Sequence, residues 1–64
     1  MTPADLRAWQ SHMGYTYDTA AQALGVGRSA YANWLAGIRP IARTTALACA
    51  ALAAGLGEWR SAAI

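Results

Sequence analysis

Between Arg28 and Leu35 the residue types divide by helical spacing into two unlike sides. Tyr31, Trp34 and Leu35 fall on one face; Arg28, Ser29, Ala32 and Asn33 fall on the other, which is small or polar and begins with a cation. A guanidinium, a hydroxyl and a carboxamide on one outward strip are hydrogen-bonding groups rather than reacting ones. All five basic residues are arginine (Arg7, Arg28, Arg39, Arg43, Arg60), and the window from 28 to 43 holds three of them and no acid. Arginine without lysine suits a surface that grips phosphate or a guanine edge through a planar fork. GC-rich coding favours the same residue and accounts for the choice equally well. The net charge of +2 adds little, since many soluble domains are as basic.

Groups that could react lack partners. His12 has no Cys or second His for a metal and no nucleophile to activate, so it reads as a surface residue. Cys49 is the single cysteine, which forbids an internal disulfide, and in an alanine-rich segment it reads as a small buried hydrophobe. No nucleophile, acid–base pair or metal set is evident, so neither an enzyme, a cofactor, a metal nor a small-molecule substrate is expected.

The elements that must hold the polar strip can be placed from capping signals. Thr2 caps a first helix, with Pro3 at its first position and Asp5 three residues after the cap, giving a helix over 3–13 with an apolar stripe of Leu6, Trp9 and Met13 ended by Gly14. Thr16 caps a second over about 17–24, with Asp18 in its first turn, Ala20, Ala21 and Leu24 inward, and Gly25 as the stop before an inward Val26. Gly27 is a permissible cap for the third helix, which Gly37 ends; Ile38 to Ile41 form a connection, since the residue before Pro40 is biased away from helix. A fourth runs from Ala42 or Arg43 to Ala54 with Leu47, Ala48, Ala51 and Leu52 as its apolar stripe. The tail from Glu58 to Ile64 can add one or two helical turns carrying Trp59 and Ile64 into a core or a partner. The fold class is therefore all-α, a compact bundle of four to five helices forming one domain over 1–64.

Size limits this bundle, because 64 residues bury only about 60% of the surface their unfolded chain exposes. With disulfide and metal absent, self-association is the remaining support, and a homodimer is expected with its surface on residues 55–64 and around Leu52, Leu56 and Trp59. No apolar stretch follows a basic segment at the start, which points to a cytoplasmic protein. The run from Ala46 to Gly57 falls short of the roughly 20 residues that span a bilayer and lacks the basic face of a membrane-surface helix.

Two short helices joined by a tight turn, Ala20, Ala21 and Leu24 on the first and Tyr31 and Trp34 on the second, describe a helix-turn-helix over about 17–36. Residues 2–52, about four fifths of the chain, resemble the XRE family of Cro and phage-repressor-type domains: Thr16-Tyr17-Asp18-Thr19-Ala20-Ala21-Gln22-Ala23-Leu24-Gly25-Val26 is similar to its first motif helix and turn, and Arg28 through Trp34 with Ala36-Gly37-Ile38-Arg39-Pro40 to its recognition helix and following loop. The resemblance implies a lambda-repressor-like fold whose third helix enters the major groove of double-stranded DNA. It makes Arg28, Ser29 and Asn33 the base-reading positions, Arg28 suited to guanine O6 and N7 and Asn33 to adenine N6 and N7. Tyr17 and Gly27 match phosphate-contacting positions at helix N-termini, and Arg39 and Arg43 are expected on the flanking backbone. It implies a nucleoid-associated prokaryotic or phage-type repressor, dimeric on a palindromic operator. The chain departs from the family at Tyr17, where Gln is frequent, at Gly27, where Ser or Thr is, and at Leu35, where Glu often pairs with a basic residue of helix one; here Gln10 is also uncharged. The alternative is a protein-interaction module, such as an antitoxin-like partner that seats its apolar C-terminal helix in another protein's groove.

Overall fold

Four helices carry the chain in the computed structural model, which describes residues 1–61: α1 (Pro3–Met13), α2 (Tyr17–Leu24), α3 (Arg28–Leu35) and α4 (Arg43–Ala53), with no strand among the described residues. α1 packs on α3 and α4, and α2 packs on the same two helices, so α3 lies across both of its predecessors.

The expected starts of α1 and α2 are present, each as a reciprocal capping box. The Thr2 hydroxyl accepts from the Asp5 backbone N–H at 3.1 Å while the Asp5 carboxylate accepts from the Thr2 N–H at 2.8 Å. Thr16 and Thr19 make the same exchange at the head of α2, at 3.2 and 2.8 Å. Two backbone donors that a helix start leaves free are satisfied in each case. In α2 the returning group is a threonine rather than the Glu or Gln of the usual pattern, which is why spacing alone did not mark it. The Thr2 hydrogen bonds hold the Asp5 carboxyl below its usual pKa.

The turn after α2 sets the angle of the motif. Gly25 takes a left-handed backbone (φ 71°), and the Val26 N–H then reaches back to the Ala21 carbonyl at 3.0 Å. A side chain at 25 would be strained at that φ, whereas glycine adopts it freely. The closure throws Val26 inward, where it packs against the core.

Among the described residues six are buried: Leu6, Trp9, Ala20, Ala21, Tyr31 and Cys49. Two of them are alanines on α2, so burial there means close helix approach rather than large area. Tyr31 is fully enclosed and ties three helices together. Its ring meets Tyr17 of α2 edge-on (centroids 5.4 Å, 90°) and Trp34 of its own helix (6.4 Å, 68°), and its hydroxyl donates to Gln10 Oε1 of α1 at 2.7 Å. Edge-to-face pairs of this kind add to area burial. Trp9 joins α1 to α4 by donating its Nε1–H to the Cys49 carbonyl at 3.1 Å and packs edge-on to Tyr15.

Two expectations are corrected. Leu47 does not belong to the inward stripe of α4 and is 57% exposed. The inward face is centred on Cys49, with Thr45, Ala48 and Leu52 half-buried beside it. At about 100° per residue, Leu47 lies about 200° away from Cys49 and must point out. The tail also adds no helix at Glu58–Arg60, and Trp59 is 87% exposed instead of entering the core. Ile64, assigned the same role, lies outside the described residues. Gly55 ends α4 in a left-handed turn, and the Leu56 N–H returns to the Ala51 carbonyl at 2.9 Å, turning the chain away from the helix axis.

Candidate nucleic-acid interface

The N-termini of α2 and α3 lie side by side, a consequence of the tight turn at Gly25 and of the Tyr17–Tyr31 ring contact that braces them. Between them is an open cleft of about 460 Å³ lined by Tyr17, Arg28, Ser29 and Ala32. Tyr17 forms one wall through its ring, Ala32 is small enough to leave a floor, and Arg28 and Ser29 stand exposed on the rim. Tyr31 lies sealed beneath the same helix.

Charge on this surface is arranged, not free. The Arg28 guanidinium sits over the Tyr17 ring, 5.6 Å from its centroid, and its Nε is 3.2 Å from Asp18 Oδ1. Both side chains are largely exposed, so water screens the pair and it adds little to stability. Its effect is on where Arg28 points. Spacing had assigned Asp18 only to the helix dipole; a contact between residues ten apart on different helices has no signature in the sequence.

Of the remaining candidates, Asn33 is half-buried further along α3, and its carbonyl accepts from the Ile38 and Arg39 N–H groups at 2.9 and 3.3 Å. The loop that follows is thereby folded back on the end of α3, with Gly37 at φ 74° permitting the reversal. Arg39 and Arg43 are exposed, one in this loop and one at the first turn of α4. Gly27 begins α3 without any side-chain hydrogen bond to the helix, so the first N–H groups of α3 have no such partner. Four of the assigned positions, Tyr17, Gly27, Arg28 and Ser29, are thus brought to the paired helix starts.

At the departure on α3, Leu35 is half-buried against the core, and its carbonyl accepts from Arg7 Nη2 of α1 at 2.9 Å. Gln10 takes the Tyr31 hydroxyl. The α1–α3 junction therefore uses a backbone carbonyl and a buried phenol where a charged side-chain pair is frequent in the resembled family. Cys49 is buried, and the apolar surroundings push its thiol pKa up, which keeps it in the unreactive form. His12 is exposed at the end of α1.

Helices of these lengths, with α3 braced across α2 and its polar side outward, define a helix-turn-helix DNA-binding domain. The family model described as Helix-turn-helix matches residues 6–57, and the chain belongs to that family, in its XRE branch. The family is one of DNA-binding transcription regulators rather than of enzymes. No curated protein and no solved structure matches the chain significantly. No helix among the described residues is long and apolar enough to cross a membrane.

Proposed function

We propose that the chain is a homodimeric repressor that reads an inverted-repeat operator by placing α3 in the major groove. The observation carrying this reading is the outward presentation of Arg28 and Ser29 beside the start of α2 while Tyr31 anchors α3 from behind. Arg28, Ser29 and Asn33 contact base edges. Tyr17, Gly27, Arg39 and Arg43 hold phosphates, the first two at helix N-termini where free N–H groups and the dipole favour an anion. Two copies related by a two-fold axis set their recognition helices about 34 Å apart, in successive major grooves.

The second copy docks through the C-terminal end. Leu52 and Leu56 line a largely apolar groove with Ala23, Leu24, Ala48 and Ala51, about 340 Å³ in volume, to which Gly57 and the acidic Glu58 also contribute, and the exposed Trp59 comes next in the chain. That groove also supports a second reading, an antitoxin-like module whose apolar end binds an unlike protein. Selection of bound sites from random duplex DNA separates them. Recovery of a palindrome supports the repressor; no enriched sequence, with affinity indifferent to salt, sinks it. Arg28→Ala should then lower affinity by about 1–3 kcal/mol and relax preference at one base pair, whereas Arg43→Ala should weaken all sequences alike. Deleting residues 55–64 should give monomers with much weaker operator binding, and unchanged mass would remove the tail from the interface.

A further inference from the structure

We infer that Asp18 is a specificity-determining positioning residue: from the first turn of α2 it holds the Arg28 side chain for base reading and withholds it from phosphate. The inference rests on the reading of Arg28 as a base-contacting residue, and adds a second residue that makes that contact selective.

Arg28 is the first residue of α3, with a long side chain and, on an isolated helix, wide freedom to swing toward either groove edge or backbone. Here two groups from α2 restrict it. The Arg28 guanidinium carbon lies over the Tyr17 ring, 5.6 Å from its centroid, and Asp18 Oδ1 lies 3.2 Å from Nε. Tyr17 is itself fixed by its edge-on contact with the buried Tyr31, so the platform is part of the core rather than a mobile surface residue. A guanidinium has donors along two edges, and guanine O6 and N7 are met by one of them. A carboxylate at Nε occupies the inner edge and leaves the outer pair of amino groups free at the cleft that Tyr17, Ser29 and Ala32 line with Arg28.

The sign of the charge matters as much as the geometry. Phosphates bind at the starts of α2 and α3, where an acid is unfavourable to them, and non-specific DNA binding is almost wholly phosphate attraction. Asp18 therefore penalises the sequence-independent mode in which Arg28 would lie on the backbone. In the base-reading mode the Asp18–Arg28 contact persists and the carboxylate stays partnered. Discrimination arises from this difference between modes.

The test compares the wild-type chain with Asp18→Asn, Asp18→Glu and Arg28→Ala on the selected duplex, on duplexes altered at each base pair, and on unrelated duplex DNA across a salt series. Asp18→Asn keeps size and polarity at an exposed site, and circular dichroism checks that α2 remains folded. The expected result is tighter binding to unrelated DNA, a salt slope steeper by up to about 0.9 as Arg28 joins the phosphate contacts, and about a three- to ten-fold loss of discrimination confined to the base pair that Arg28→Ala also relaxes. Asp18→Glu, which retains the charge, should recover most of that discrimination. Uniform gains in affinity with discrimination unchanged at every base pair would overturn the inference and leave Asp18 a surface charge. If Arg28→Ala itself alters no single base pair, the underlying reading of Arg28 fails instead.

Discussion

Removing both partners of the Tyr31–Gln10 hydrogen bond should cost less than removing either one. Tyr31 is fully enclosed and its hydroxyl donates to Gln10 Oε1 at 2.7 Å across the α1–α3 junction. In Gln10→Met the hydroxyl keeps its buried position without that acceptor, which costs about 1–3 kcal/mol. In Tyr31→Phe the carboxamide oxygen of the half-buried Gln10 loses its donor, at about 1 kcal/mol because water can still reach it. With both changed, the junction is apolar and of similar volume, and the double variant should lie within about 0.5 kcal/mol of wild type. The coupling between the two sites is then roughly 1.5–4 kcal/mol, well above the scatter expected of independent sites. For a chain of this size 1 kcal/mol moves the Tm by roughly 4–8 °C, so thermal melts resolve the cycle, run at one protein concentration since association shifts the Tm. Burial also raises the Tyr31 phenol pKa, so the bond stays protonated through the neutral range. Losses that simply add in the double variant would show that the hydroxyl and carboxamide are stabilised separately, and the assignment of this pair as the clasp between α1 and α3 would fail.

Other positions give sharper single changes. Ala21→Leu places a branched side chain where α2 is buried against the bundle, and overpacking should destabilise the domain by about 1–3 kcal/mol or prevent folding; an unshifted melt would mean the helices are not in close approach there. Gly27→Ser should stabilise α3 by several tenths to about 1 kcal/mol, because the backbone (φ −71°) suits any residue, a Cβ meets nothing within 4 Å, and the hydroxyl can cap the helix. A lower Tm for that variant would refute the open geometry. Cys49 in the native chain should react with an alkylating reagent only as fast as the bundle opens, and its rate should climb with denaturant; rapid labelling of the folded chain would contradict its burial.

Helix positions were legible because the chain states them locally. Thr2, Pro3 and Asp5 announce α1, Thr16 announces α2, and Gly14 and Gly25 mark their stops, so the approximate bounds of α1 and α2 match the structure, while α3 closes on Ala36, one residue before the expected stop at Gly37. The amphipathic split of α3 was legible at its start, with Tyr31 buried and Arg28 and Ser29 exposed as their spacing required, whereas Ala32 and Asn33 of the polar strip are half-buried like Trp34 and Leu35 of the apolar one. α4 was harder for a physical reason. Alanine is compatible with either face, so a helix reading Ala-Leu-Ala-Cys-Ala-Ala-Leu has no pronounced apolar direction, and the larger Leu47 drew the stripe away from the smaller Cys49. The Trp9 bond to the Cys49 carbonyl, which fixes the choice, joins residues 40 apart. The Arg7, Gln10 and Asp18 contacts escaped for the same reason: each pairs two helices, and single-helix periodicity carries no information about which partner faces which.

These nonlocal contacts also decide how the domain can afford an open binding face. α3 is only eight residues long and lacks a side-chain cap, so isolated it would not hold a helix. Its order comes from behind: Tyr31 from the core, Trp34 and Leu35 from the adjoining apolar shell, and the Leu35 carbonyl from Arg7. Because support is delivered entirely through that side, no outward residue of α3 is required for folding. Arg28 and Ser29, both exposed, are consequently open to substitution with little loss of stability, while Ala21, Gly25 and Tyr31 hold the angle of the helix. Tyr17 is the exception. It supports Tyr31 on one side and the Arg28 guanidinium on the other, so a change there perturbs the core packing and the setting of Arg28 together.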